Sequence, residues 1–480
     1  MLVSIPTSAN PLYVRISDGI KDAILSGKLA SGSKLPSTRA LAADLEVSRN
    51  TVALAYEQLA AEGYLVGHNR SAPSVAPVEV KEKSRGSAAT SKSSVRLSPF
   101  GRRLSGTTQK RRPVLHPHLR YDFRYGQPAV GDFPREVWRK FLSSKAVLSS
   151  ELAGYGPPAG HVPLRRALKN YLGRARGISC ELEQIVIVSG SQQAFDLVAR
   201  LLVDENCRVI VEEPHYPGSA APFAAAGARM LRLPIDENGL DINLLRSRKQ
   251  DVRAICVTPC HQFPTGVVMP LTRRTALLEW ASVSDAWIIE DDYASELRYV
   301  GRPIEALKAL DRNDRVIHVG TFSKTLLPAL RLAYVVLPHA LIGPFLAAKA
   351  LSDRYTSVFG QDVLAHLIET GHFERFLRRA CARNSLRRQA LVSSLDRHFK
   401  DRVICSGENA GVHLLVSFRD RTSEDVNEMI SKASRSGVGL YFAAPFYDKR
   451  PRDAKFLFGY AALSEAQIRR GIERLASVLN

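Results

Sequence analysis

Apolar residues recur at helical spacing from the start of the chain. After Pro11, the residues Tyr13, Ile16, Ile20 and Ile24 share one face, and Gly27 follows as a stop, which predicts a first helix. Ser37 stands where an N-cap belongs, with Leu41 and Leu45 pointing one way along a short second helix. Val47-Ser48 reads as a turn, and Val52, Ala55, Tyr56 and Leu59 mark a third helix that ends at Gly63. Three short helices with a tight turn between the last two predict a helix-turn-helix, which sets the N-terminus of its last helix into a DNA major groove. Arg49, Asn50 and Thr51 lie at that end. The same periodicity also fits a small helical bundle serving only as a dimerisation arm.

The pattern then lapses. Between Glu79 and His118 almost no apolar periodicity remains, and ten Lys and Arg stand against two acidic residues, so the stretch cannot bury a core and reads as a flexible basic linker. From about Gln184 a different rhythm begins. Short apolar runs (Ile185 to Val188, Val209 to Val211, Ile255 to Val257, Ile288-Ile289, Val316 to Gly320) alternate with helical patterns such as Phe195 to Leu202. This alternation predicts a mostly parallel sheet covered by helices on both faces, with ligands held at the C-terminal ends of the strands.

The residues at those ends carry chemistry. Ser189-Gly190-Ser191-Gln192-Gln193 opens a helix after the first strand, where glycine admits a phosphate to the backbone and the helix N-terminus offers free amides. Glu290-Asp291-Asp292-Tyr293 ends a later strand, and Thr321-Phe322-Ser323-Lys324-Thr325 follows another, with Arg331 a short distance on. Each alone has a bland reading as a solvated loop. Together they supply what pyridoxal phosphate needs: a lysine for the Schiff base, an aspartate for the pyridine nitrogen, a tyrosine for the ring oxygen, and a phosphate cradle with an arginine.

Composition narrows the class further. With 480 residues and 45% hydrophobic content the chain is globular and long enough for two or three units, neither disordered nor fibrous. It has no apolar run long enough to span a bilayer and no leader pattern after Met1, so it reads as a cytoplasmic protein that engages no membrane. The six cysteines lack zinc spacings; buried thiols and no metal are expected. A formal net charge of +20 attracts polyanions without naming one.

Two stretches of wording identify relatives. Lys34-Leu35-Pro36-Ser37-Thr38-Arg39-Ala40-Leu41-Ala42, Val47-Ser48-Arg49-Asn50-Thr51-Val52 and Tyr56-Glu57-Gln58-Leu59 through Leu65 resemble the winged helix-turn-helix of GntR-type transcription factors over most of residues 11 to 66. Tyr155-Gly156-Pro157-Pro158-Ala159-Gly160, Glu213-Pro214-His215-Tyr216-Pro217-Gly218, Thr258 to Gly266 and Ser323 to Tyr334 resemble fold-type I aminotransferases, most of all the MocR/GabR-type regulators that join such a domain to a GntR-type reader.

The resemblance implies an α/β chain in three parts: a winged helix-turn-helix (1–78), the linker (79–118), and an aminotransferase-like effector domain (119–480). The last divides into a large parallel-sheet lobe, about 155–340, and a small α+β lobe, about 119–154 and 341–480. It implies that Ser37, Arg39, Arg49, Asn50 and Thr51 touch operator DNA. His68 and Arg70 would substitute in a wing that lacks the usual glycine-rich turn. It implies that Lys324 forms the Schiff base, Asp291 pairs with the ring nitrogen, Tyr293 bonds the ring oxygen and Tyr216 stacks on the ring. Gly190, Ser191, Gln192, Ser323 and Arg331 would surround the phosphate, with Tyr155 reaching it from the partner in a head-to-tail homodimer.

Three positions depart from the family's pattern. His261 or Gln262 lies where a group often approaches the ring oxygen, but Phe263 replaces the usual asparagine. Ala333 stands where glycine is common. In the strand Ala454 to Ala461, where a carboxylate-binding arginine is usual, the centre is apolar and only Lys455 or Arg452 is near. Two functions follow: a regulator that senses pyridoxal phosphate or an amine condensing with it, or a working aminotransferase with an accessory DNA-binding segment.

Overall fold

The computed structural model describes residues 6, 9–67, 72–77, 96–107, 119–143, 154–246, 252–299, 301 and 304–480. The chain divides into two compact units, Met1–Val95 and Arg96–Asn480.

In the first unit the three helices form where the apolar spacing predicts them, as Leu12–Leu25, Thr38–Asp44 and Arg49–Ala61. Ser37 and Ser48 cap the second and third, their hydroxyls accepting from the amides of Ala40 and Thr51 at 3.2 and 3.1 Å. Ile16, Ile20, Ile24, Leu41, Val52, Ala55 and Leu59 close one core. Leu65–Val66 pairs antiparallel with Ser74–Val75 to make the wing's stem. His68 and Arg70 lie outside the described residues.

The second unit holds an eight-stranded sheet in the order Ile185–Val188, Ala333–Val336, Val316–Thr321, Trp287–Asp292, Val252–Val257, Arg208–Glu213, Arg229–Asp236, Gly239–Leu240. The five strands from Val316–Thr321 to Arg229–Asp236 run parallel; Ala333–Val336 and Gly239–Leu240 are antiparallel to their neighbours. Both faces of this sheet are covered, which is why Ile185–Val188 and Val316–Thr321 are apolar or buried throughout. A second antiparallel sheet, in the order Val403–Ser406, His413–Thr422, Asp453–Gly459, Tyr441–Phe442, packs with the helix Glu465–Leu479 around Phe418, Phe456 and Phe458.

The lobes divide differently from the sequence reading. Residues 339–369 form two helices, His339–Asp353 and Val358–Glu369, whose Phe345, Val363 and Leu364 join the cores of the large lobe, as do Phe133, Val137, Trp138 and Phe141. The long helix His372–Phe399 spans the divide: Phe373 and Phe376 belong to the large-lobe core, Leu391 and Leu395 to the small. Within the stretch expected to be a flexible linker, Pro99–Thr107 is helical and packs on the helix Pro217–Ala226. Of the cysteines, Cys381 and Cys405 are only partly buried.

Candidate functional site

Adjacent parallel strands bring the key residues to one edge. Asp291 registers against Val319 and Asp292 against Gly320, so Lys324, three residues past the end of Val316–Thr321, follows directly beside Asp291. Side chains alternate along a strand, and the two aspartates part accordingly. Asp292 points into the protein, where Arg176 holds it at 2.7 Å. Asp291 lines a cavity of about 1210 Å³ together with Lys324, Tyr293, Tyr216, Ser191, Gln192, Ser323 and Arg331.

The electrostatics of the pair follow from burial. Desolvation, then the charge of Asp292, pushes the Asp291 carboxyl up to about 7 against the opposing pull of Lys324. Burial likewise lowers the Lys324 ammonium below the usual lysine range, with Asp291 resisting. The Lys324 amine donates to the carbonyl of Gly126 at 2.9 Å. A Cβ on Gly126 would approach that amine to 3.0 Å. The Tyr293 hydroxyl is buried with no hydrogen-bond partner among the described residues, so it is a donor waiting for an acceptor.

At the other end of the cavity, Gly190 has φ 96° and ψ 158°, a conformation that side-chain-bearing residues avoid. The Arg331 guanidinium fills the space its missing Cβ leaves, 2.6 Å from where that atom would lie, and donates to the Ser189 carbonyl at 2.8 Å. Ser191, Ser323 and this guanidinium line the cavity beside the amides that open the helix Ser191–Leu202, a set of donors suited to cradling an oxyanion, while Gly190 lies behind Arg331 and is not among the lining residues.

The remaining expected residues fall elsewhere. The Gln262 carboxamide is consumed elsewhere, donating to Glu212 and Pro214 at the end of a neighbouring strand and accepting from Thr265 in its own loop, and does not line the cavity. Tyr155 is 82% exposed and meets the ring of Tyr355 edge-on. Neither Arg452 nor Lys455 lines the cavity; the Lys455 ammonium sits 5.7 Å from the Tyr447 ring centre. Ala333 is buried within its strand. In the first unit Ser37, Arg39, Arg49 and Asn50 are exposed and Thr51 half-buried, bonded to the Ser48 hydroxyl at 2.7 Å.

Sequence reasoning missed the opposite wall. Tyr125, His413, Phe442, Phe446, Tyr447 and Asp448 line it, with Phe263 packed edge-on against Phe446 at 4.9 Å and 5.3 Å from His413. Burial, then the charges of His261 and Lys324, drops His413 to about 3 against a backbone hydrogen bond to Pro264, so it is a neutral imidazole. Arg232 and Asp448, both on this cavity, pair at 3.2 Å. The only local signal was Gly126-Gln127-Pro128, a turn-like run.

The fold and the cavity define a class, an aminotransferase-type domain behind a DNA-reading winged helix, and the comparisons agree. The chain matches the family of aminotransferases of class I and II over residues 122–475 and the gntR family of bacterial regulatory proteins over 12–75. It is 35% identical over 475 residues to a probable rhizopine catabolism regulatory protein, MocR, of Rhizobium meliloti, covering 97% of this chain and 93% of that one. It is 30% identical to the regulator TauR of Rhodobacter capsulatus, over 99% and 98% of the two chains. Among solved structures, the kynurenine aminotransferase of Pyrococcus horikoshii superposes with a TM-score of 0.70 at 30% identity, over 80% of this chain and 95% of that one. The chain belongs to the MocR-type transcriptional regulators of the GntR family.

Proposed function

We propose that this protein binds operator DNA through its helix-turn-helix and that pyridoxal phosphate in the Lys324 cavity, or an amine reacting with it there, alters that binding. The observation that carries the reading is the buried Lys324 amine beside the Asp291 carboxyl in one cavity with an oxyanion cradle, in a chain whose other unit is a DNA reader. The site fits the cofactor on three counts: a cradle whose Arg331 a Cβ at Gly190 would displace, an unpartnered buried Tyr293 hydroxyl, and a carboxyl that would ionise beside a protonated ring nitrogen. When bound, the cofactor supplies an aldehyde carbon that reacts with amines.

The chain's own groups do the rest. Asp291 holds a proton at the ring nitrogen, Tyr293 donates to the ring oxygen, and Tyr216 covers a ring face. Ser191, Gln192, Ser323 and Arg331 bind the phosphate, with Tyr155 reaching it from a second copy in a head-to-tail dimer. Arg39, Arg49 and Asn50 contact bases or phosphates, and Ser37 and Thr51 phosphates.

The far wall favours sensing over turnover. Its aromatic rings and neutral His413 offer a carboxylate no cation, and the charge of Arg232 is balanced by Asp448. An effector without a carboxylate, or the cofactor itself, suits this wall better than an amino-acid substrate. The test is an absorbance spectrum of the purified protein with candidate amines, alongside a keto-acid assay. A visible band that amines shift without keto-acid release supports sensing; steady keto-acid production makes the protein an enzyme, and no band with added pyridoxal phosphate defeats the reading.

A further inference from the structure

Two helices begin at the cavity and end at the linker. Ser191–Leu202 starts at the oxyanion cradle, and Pro217–Ala226 starts beside Tyr216; Gln192 on the first donates to the Gly218 carbonyl on the second at 3.1 Å. At a rise of about 1.5 Å per residue each is a rod of roughly 15–18 Å. At their far ends one side chain meets both. The Arg103 guanidinium donates to the carbonyls of Ala225 and Ala226 at 2.7 and 3.2 Å and lies 3.5 Å from the carboxylate of Glu205, just past Leu202. Those two carbonyls are acceptors that a helix end leaves unsatisfied; the Gly227 amide already serves Phe223 and Ala224. Gly227, at φ 116°, leaves room for the guanidinium, 3.4 Å from where its Cβ would lie.

Arg103 belongs to Pro99–Thr107, the helix inside the basic stretch between the two units. An anion favours helix N-termini and a cation their C-termini, so a phosphate in the cradle complements Ser191–Leu202 at its start and Arg103 complements Pro217–Ala226 at its end, with Gln192 joining the two helices at the cavity. We propose that Arg103 is the latch of a linker-docking site on the effector domain, and that filling the cavity strengthens this docking through the helices Ser191–Leu202 and Pro217–Ala226.

Docking sets the length of the tether. With Pro99–Thr107 held, residues 77–98 join the units, about 22 residues and at most ~75 Å of extended chain; with it released, 77–120 do so, about 44 residues and ~150 Å. Cavity occupancy thereby favours the shorter of the two tethers, which narrows the spacing of half-sites that two DNA readers occupy together.

The inference rests on the cavity binding pyridoxal phosphate, as proposed above. Hydrogen exchange of the full-length protein, with and without saturating pyridoxal phosphate, reads it through the peptides covering 99–107. The expected result is about 3- to 30-fold slower exchange in the loaded protein. Arg103→Glu is expected to exchange equally fast in both states while its cofactor absorbance titrates as the wild type's does. Unchanged exchange in the wild type, or retained protection in Arg103→Glu, overturns the proposal. If exchange responds but operator affinity does not, the sensing reading falls and the latch stands. If operator affinity responds with 99–107 unmoved, the latch falls alone, and absence of any cofactor band removes both.

Discussion

Replacing Gly190 with alanine tests the cradle. The residue sits at φ 96° and ψ 158°, where a Cβ costs about 1–3 kcal/mol of backbone strain. The new methyl would also lie 2.6 Å from Nη2 and 2.9 Å from Cζ of Arg331. That side chain is exposed and can swing away, but then it forfeits its hydrogen bond to the Ser189 carbonyl, a net loss of about 0.5–1.5 kcal/mol. If both terms fall on the phosphate-binding geometry, they weaken pyridoxal phosphate binding by about 1.5–4.5 kcal/mol, roughly ten- to a thousandfold. Absorbance titration of the variant measures that loss, and thermal unfolding of the cofactor-free protein isolates the strain. The two contributions separate in a double-mutant cycle: in an Arg331→Ala background the clash is gone, so Gly190→Ala there costs less than in the wild type. An affinity for pyridoxal phosphate within threefold of wild type would refute the assignment of this turn as the phosphate cradle.

Other consequences follow from the same geometry. The Asp291 carboxyl titrates near 7 in the folded protein and near 3.9 unfolded, so the folded state binds more protons between those values and loses stability as pH rises through them. Asp291→Asn removes that loss. In urea unfolding without cofactor, the variant gains on the wild type between pH 4 and pH 8 by up to about 4 kcal/mol; a difference independent of pH would contradict the burial argument. Arg49→Ala removes an exposed guanidinium at the start of the third helix and is expected to weaken operator binding by about 1–3 kcal/mol with the fold intact, and an unchanged titration would return the N-terminal unit to a mere dimerisation arm.

Much of this architecture was legible because it is local. Ile16, Ile20 and Ile24 lie on one face at helical spacing, Ser37 is a cap by chemistry, and Ile185–Val188 is apolar because both faces of its strand are covered. Asp291 and Lys324 were readable because ligands of such a sheet sit at the C-terminal ends of its strands, where both residues fall. What escaped depends on which surfaces meet. Helical periodicity places an apolar stripe on Val358–Glu369 but cannot say which lobe it covers, and His413 becomes a cavity residue only because its strand, His413–Thr422, begins at the cavity that Lys324 also lines. The helix Pro99–Thr107 was invisible for another reason: Arg103, a residue that marked the segment as a basic linker, is what fastens it to the carbonyls of Ala225 and Ala226. Gln262 carried the right chemistry, but Glu212, Pro214 and Thr265 use up its hydrogen bonds.

The central claim is that the Lys324 cavity governs DNA binding. Its most direct test is fluorescence anisotropy on an operator selected from random duplexes, titrated with wild-type protein and with Lys324→Ala, each with and without pyridoxal phosphate at fixed salt. The account predicts that the cofactor changes wild-type affinity at least fivefold, a coupling of about 1 kcal/mol, and that Lys324→Ala binds the same operator without that change. Equal affinities for the wild type in both conditions would contradict it.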